Sequence, residues 1–361
     1  NNDHMKIIIT GYGAFLFSGV PEVVINRLAE TGSSASVCIS QTGDSYVYFG
    51  PSDSAKGMEI ANMIMKANNY QEYYQRIHMN DSDVVAKTMD GRPFKVYANI
   101  SVPGHLRRGD NGIDELGILD MMDMALLWGA NGIALGRTEY MYMGQSPLSF
   151  EQQRDLYLAM ADYKDIPITL RTFDNREDKE CFALPGYSKE HGFAYYRGEG
   201  REEFKTQIMA MLAAFATSKN RKTSKNLKME FPNIKGVEDR QFIYDVLEEA
   251  KAKLVSEGYD RATLDDMPLG IMVEERDIVM TLDKTTGKYE LTLNNLREVL
   301  DGWVEGDDAG NAARKAFKIS FMSLGTNDLI STVTGMARSS VTDYFFDKKI
   351  LNIMEAVVAE A

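Results

Sequence analysis

Two short stretches of this chain each deliver a carboxylate at their end. Gly270, Ile271, Met272 and Val273 run into Glu274, and Ser323-Leu324-Gly325-Thr326-Asn327 runs into Asp328. A buried strand hands an acidic side chain to the mouth of a sheet or barrel in this way. Two hard oxygen ligands so presented suit Mg²⁺ or Mn²⁺, ions that keep several waters and complete their shell with substrate phosphate or carboxylate. The arginines select the same kind of ligand. A run over 132–136 leads into Arg137 and one over 167–170 into Arg171; Arg197 follows Phe193, Tyr195 and Tyr196, and Arg338 comes shortly after Asp328. A guanidinium holds phosphate or carboxylate through paired coplanar hydrogen bonds and does not lose its proton, so arginines around a metal imply a small, multiply charged anion.

The whole-chain charge does not account for those arginines. With 40 basic and 53 acidic side chains the formal net charge is -13, which repels a polyanion at long range, and no basic stripe or nucleic-acid motif is present. Nucleic acid is therefore not an expected partner. Hydrophobic content is 44%, and no apolar run approaches the roughly 20 residues that cross a bilayer, so neither is a membrane. Cys38 and Cys181 are the only cysteines, without metal-ligand spacing or a disulfide framework, which fits a reducing cytoplasm. Residues 1–4, ahead of Met5, read as a tag remnant.

From about residue 94, β-like runs alternate with longer helical patterns, as in a parallel sheet or barrel. Strands are expected over 94–100, 132–137, 168–174, 227–232, 269–274 and 319–325, with helices between them, among others over 204–217 and 240–257. Residues 277–318 separate two strands by more than an ordinary crossover and carry a turn over 283–288 and an amphipathic helix over 293–303, which reads as a surface insertion or lid. The first 88 residues differ: apolar runs over 6–10, 36–40 and 46–49 precede a polar helix over 54–75. The expected organisation is an N-terminal segment, 1–88, and a barrel, 89–361. The many methionines read as core filling.

The order of the motifs adds more than any one of them. Met89-Asp90-Gly91, GIALGRTEYMYM, ITLRTFDNREDK, EEFKTQ, KMEFPNI, GIMVE and SLGTNDL follow one another between Thr88 and Arg338. In this series the chain resembles the phosphoenolpyruvate-binding barrel of the phosphoenolpyruvate-utilising enzymes, in particular the enzyme I family of the bacterial sugar phosphotransferase system. The resemblance implies an α/β fold, a (β/α)8 TIM-type barrel, here lacking its last strands, with a small N-terminal α/β segment that faintly matches the end of a swivelling domain. It implies Mg²⁺ (or Mn²⁺) on Glu274 and Asp328. Arg137, Arg171, Arg197 and Arg338 would clamp the phosphate and carboxylate of phosphoenolpyruvate, and the Asn327 amide would contact the phosphate. The phosphoryl group would pass to a histidine on a mobile domain or a phosphocarrier protein, leaving pyruvate enolate for a cysteine to protonate, and the barrels would pair as a homodimer.

Three departures bear on turnover. The Gly-rich turn followed by Thr-Ser-His is absent, and none of His4, His78, His105 or His191 has those surroundings. No cysteine follows Asp328, and two of eight barrel strands are expected beyond Ala361. Arg176-Glu177-Asp178-Lys179 stands where the family usually has Gly-Gly-Asp-Lys, and Glu275-Arg276 where it has Ile-Pro. This extra charge either changes the substrate or fills the site. Glu275 reads as a solvated neighbour, Cys181 as an inert loop thiol, and Asp174, Asp178 and Lys179 as residues that order their loop. Three functions stand at this point: phosphoryl transfer from phosphoenolpyruvate to a protein histidine, a metal-dependent pyruvate-enolate lyase or aldolase, and a non-catalytic phosphoenolpyruvate sensor.

Overall fold

Runs of apolar residues that cannot be solvated on either face become the parallel strands of this chain. A computed structural model describes residues 7–9, 35–39, 45–49, 92, 95–110, 116–127, 130–142, 146–176, 181, 183–187, 189–222, 227–302, 318–337 and 347–360. The chain divides into two compact units, residues 1–136 and 137–361. In the first, β1 (Ile7–Ile9), β2 (Ala35–Ile39) and β3 (Ser45–Phe49) form an antiparallel sheet in the order β1-β3-β2. The polar helix expected over 54–75 lies outside the described residues. Further along come β4 (Ala98–Ser101), helix α1 (Ile118–Leu127) and β5 (Ile133–Arg137).

The remaining strands are β6 (Ile168–Arg171), β7 (Leu227–Phe231), β8 (Leu269–Val273), the hairpin pair β9 (Met280–Asp283) and β10 (Lys288–Leu291), and β11 (Ile319–Leu324). Within the second unit the strands stand in the order β11-β8-β7-β6. Pairing is parallel between β6 and β7, β7 and β8, and β8 and β11. Spatial order thus follows chain order, which repeated strand–helix crossovers of one hand produce and which is the topology of a TIM-type barrel. Among the described residues the sheet is not closed. All residues of β6 and β8 are buried, as expected of parallel strands covered on both faces.

Helix α2 (Phe150–Tyr163) starts on a capping box between Ser149 and Gln152. After it come α3 (Gly192–Arg197), α4 (Arg201–Thr217) and α5 (Val237–Ser256). Helix α4 packs against α2 and against α5, and its run from Ala210 to Phe215 is buried throughout. The helices expected over 204–217 and 240–257 are α4 and α5. Each begins earlier, because its first turn is polar, with Glu202 and Glu203 in α4 and Glu238 and Asp239 in α5. Apolar periodicity misses such a turn, although acids there complement the helix dipole. The segment expected as an insertion holds α7 (Arg276–Val279, after the short α6, Arg261–Asp265), the β9–β10 hairpin and α8 (Asn294–Asp301); its residues 303–317 lie outside the described set. Helices α9 (Thr326–Thr334) and α10 (Lys348–Glu360) follow β11.

Strand β6 stops at Arg171, short of the 174 expected, and the backbone that leaves it is tied down from several sides. The fully buried Gln207 of α4 accepts from the Phe173 N–H (2.7 Å) and donates to the Thr138 and Tyr157 hydroxyls (3.0 and 3.1 Å). Phe173 is packed edge-on by Tyr142, Tyr195, Tyr196 and Phe204. Its carbonyl accepts from the Tyr196 hydroxyl at 2.6 Å. The Asn175 amide donates to the Glu190 carbonyl at 2.9 Å. A Gln207→Leu variant leaves the buried Phe173 N–H without its acceptor, and the expected loss is roughly 1–3 kcal/mol. It should appear in urea unfolding as a lower midpoint with an unchanged slope.

Candidate functional site

Arg171, at the end of β6, does not face solvent. Its Nη2 lies 2.7 Å from Glu139 Oε1 and 3.2 Å from Asp174 Oδ2, with all three side chains buried. Glu139 comes from the 3₁₀ turn Thr138–Tyr142 that follows β5, and the Thr138 hydroxyl donates to the Arg171 carbonyl at 2.7 Å. Burial opposes charge on Arg171, but Glu139, Asp174, Glu274 and Glu230 outweigh it and raise its pKa. Glu230 of β7 is buried as well, and burial raises its pKa.

A second guanidinium lies at the next strand ends. Arg176 Nη2 is 3.0 Å from Glu274 Oε1 and 3.1 Å from Glu275 Oε1; its Nη1 is 3.1 Å from Asp328 Oδ1; its Nε donates to Asn233 Oδ1 at 2.6 Å and lies 3.3 Å from Asp174 Oδ1. Burial disfavours the charge, yet the carboxylates of Glu274, Asp174, Asp328 and Glu275 more than offset it, so the Arg176 pKa is raised and the group stays protonated. Burial pushes Glu274 up to about 7, against the pull of Arg176.

Asn233 joins these groups. Its N–H donates to Glu274 Oε1 and its side-chain amide to Asp174 Oδ1, both at 2.8 Å. Its φ is 63°, a left-handed conformation that asparagine tolerates better than most residues. The glycine of SLGTNDL has an equally specific reason. A Cβ at Gly325 would come within 2.8 Å of Glu274 Cβ and Oε2, so any side chain there displaces Glu274.

Beside Arg176 opens a cleft of about 1020 Å³, whose walls include His191, Arg197, Asn233, Lys235 and Asp328. Arg197 is the last residue of helix α3. Phe193, Tyr195 and Tyr196 carry strong β propensity, yet here they form buried helix positions, and Phe193 and Tyr196 pack at i,i+3 spacing. Arg197 Nη2 pairs with Asp239 at 2.7 Å, and its guanidinium lies over the Phe193 and Phe242 rings. Its side chain is 41% exposed, and that of Lys235, 4.0 Å from Glu275 Oε2, is 59% exposed, so both are far more accessible than Arg176.

Arg137 ends β5 and lies over the Tyr140 ring. Asn327 is in the first turn of α9 beside Asp328, and Arg338 lies outside the described residues, as do Glu177, Asp178 and Lys179. Cys181 is fully buried, its sulfur 3.9 Å from the Glu139 carbonyl. The structure thus brings Glu274 and Asp328 together and places Arg197 on the same cleft. Of the two outcomes open for the extra charge at Arg176, the structure has it fill the site, and it adds Asn233, Glu139 and Glu230, to which sequence reading gave no site role. The loss of the family's glycine had marked position 176, and the Pro-Asn step after β7 was the signal for Asn233.

The position between Glu274 and Asp328, which the resemblance gives to Mg²⁺ or Mn²⁺, is bridged by Arg176. Among the described residues no group of three or more His, Cys, Asp and Glu is spaced to hold a metal ion. As arranged, the two carboxylates do not fit a divalent ion, although Glu274 Oε2 is buried without a hydrogen-bond partner.

An α/β sheet in barrel order, with charged side chains gathered at the carboxyl ends of its parallel strands, places the chain among barrel-type proteins whose sites lie at that end. Within that class, residues 78–291 match the family model described as PEP-utilising enzyme, PEP-binding domain, and the chain belongs to that family. It is similar to the phosphoenolpyruvate-protein phosphotransferase of Staphylococcus carnosus (strain TM300), 28% identical over 355 residues, covering 94% of this chain and 51% of the relative. With the protein of the same name from Bacillus subtilis (strain 168) it is 29% identical over 248 residues, 67% of this chain and 34% of the relative. With that of Latilactobacillus sakei it is 31% identical over 194 residues, 52% and 29%. The chain spans about half or less of the length of these relatives. No helix among the described residues is long and apolar enough to cross a membrane.

Replacing Asn233 separates its two roles. Asn233→Gly keeps the left-handed backbone and loses the bonds to Asp174 and Arg176; Asn233→Ala loses both. Urea unfolding should show both variants destabilised, alanine by about 1 kcal/mol more than glycine.

Proposed function

We propose that the chain binds phosphoenolpyruvate in the cleft at the carboxyl ends of β6, β7, β8 and β11, and that its phosphoryl group passes to a histidine on another domain or protein. Membership of the PEP-utilising family and the names of the relatives support the ligand and the reaction. The observation that carries the reading onto this chain is the cleft itself, which Arg197 and Lys235 line together with the strand-end groups Arg176 and Asp328. Transfer breaks the phosphorus–oxygen bond of the enol phosphate and forms a phosphorus–nitrogen bond to imidazole. The enolate that leaves is protonated to pyruvate. Little covalent work falls to the protein in such a step, so fixed cations around the phosphate and carboxylate supply most of the effect.

A binding-only role is the second reading. It is favoured by the burial of Cys181 away from the cleft wall and by the acid partners that already engage Arg171 and Arg176. Exchange of solvent deuterium into pyruvate separates the two: exchange is expected for the transfer enzyme and none for the binding module.

Calorimetric titration with phosphoenolpyruvate should give saturable binding. Arg197→Ala should weaken it tenfold or more, about 1.4 kcal/mol, with little loss of folding stability because the side chain is partly exposed. Absence of saturable binding by the unaltered chain overturns the proposal.

A further inference from the structure

Buried carboxylates require a positive partner, and a metal ion is only one way to supply it. At these strand ends Asp174, Glu274, Glu275 and Asp328 all lie within ion-pair distance of one guanidinium. The two terminal nitrogens of Arg176 divide Glu274 from Asp328: Nη2 takes Glu274 Oε1 and Nη1 takes Asp328 Oδ1. A Mg²⁺ or Mn²⁺ ion needs oxygen ligands at about 2.0–2.2 Å in near-octahedral array, and Oε1 and Oδ1 are the atoms that Arg176 already holds.

We propose that Arg176 is a resident cation that replaces the divalent metal of this site. Glu274 and Asp328 then bind no Mg²⁺ or Mn²⁺, and the anionic ligand of the cleft is bound without metal. The part that concerns the ligand rests on the function proposed above; the part that concerns the metal does not.

Two further observations support the assignment. Arg176 is not a surface side chain resting against the site. It is 17% exposed, its Nε is engaged by Asn233, and the backbone that leads to it is fixed through the Phe173 N–H and the Asn175 carbonyl. Displacing it would leave a buried acid cluster uncompensated. Glu274 Oε2, by contrast, is buried, lies against Gly325 and has no hydrogen-bond partner. An acceptor so placed becomes a metal ligand once the guanidinium is removed and water enters. A guanidinium also carries one positive charge where the ion carries two, so it draws a multiply charged anion less strongly, and it cannot be removed by a chelator.

The test is a Mn²⁺ titration of the full chain followed by electron paramagnetic resonance, in which free Mn²⁺ gives the sharp signal, with no phosphoenolpyruvate present. Four proteins are compared: the unaltered chain, Glu274→Gln, Arg176→Gly, and the double variant Arg176→Gly with Glu274→Gln. The unaltered chain and Glu274→Gln are expected to bind Mn²⁺ alike, through surface carboxylates only. Arg176→Gly is expected to gain one tighter site that the double variant loses. A Mn²⁺ site in the unaltered chain that Glu274→Gln abolishes overturns the proposal, as does a folded Arg176→Gly protein that gains no site. If Arg176→Gly does not fold, as circular dichroism will show, the comparison of the unaltered chain with Glu274→Gln still decides the claim, and Arg176→Gln repeats the gain-of-site arm. In a separate calorimetric arm, binding of phosphoenolpyruvate is expected to be unchanged by EDTA, and loss of binding in EDTA overturns the proposal. Absence of binding in both buffers counts against the ligand reading alone, because the Mn²⁺ titration contains no ligand.

Discussion

Taking an ionised side chain out of water costs several kcal/mol unless partners replace the solvent, and the second unit buries a row of such groups at its strand ends. Glu139, Arg171, Asp174, Glu230 and Glu274 are nearly or fully inaccessible. Each arginine there is met by acids from other segments: Arg171 by Glu139, Arg176 by Glu274, Glu275 and Asp328. These pairs fix how closely the loops after β5, β6, β7, β8 and β11 can approach. They also explain supporting details that look unrelated in isolation, such as a left-handed asparagine, a glycine with no room for a methyl group, and a glutamine in the middle of a helix.

Parts of this arrangement were legible in the sequence because the signal was local. Apolar runs that end in Glu274 and Arg171 report buried strands with charged ends, the run before Asp328 reports a half-buried one, and the order of the motifs carried the strand order with it. The partners of Arg176 were not legible, since they come from residues 174, 233, 274, 275 and 328, which only folding brings together. Sequence could say that position 176 departs from the family's glycine. Whether the extra charge fills the site or alters the ligand is a matter of distances. The helix that carries Arg197 was not legible for a different reason: the aromatic residues before it have the composition of a strand, and tertiary packing against Phe204 and Phe242 makes them one face of a helix.

The cleft and the buried cluster behave differently toward an incoming anion. Arg171 and Arg176 have their charge compensated before anything binds, so they set shape and local potential more than they attract. Arg197 and Lys235 are also near acids, Asp239 and Glu275, but their side chains are 41% and 59% exposed, so on the function proposed above they are the cations that can turn toward a ligand. On that reading, recognition at the mouth of the cleft is separate from the groups that hold the strand ends together, and substitutions at the two places should affect affinity and stability unequally.

The residue at position 176 also has an evolutionary side. Every arginine codon lies one base substitution from a glycine codon, and glycine is what the resembling family carries at this position. On the assignment proposed above, an acid pair held by a guanidinium and an acid pair open to an ion are therefore neighbouring genotypes. A lineage can pass between them in one mutational step, without rebuilding the strands that present Glu274 and Asp328.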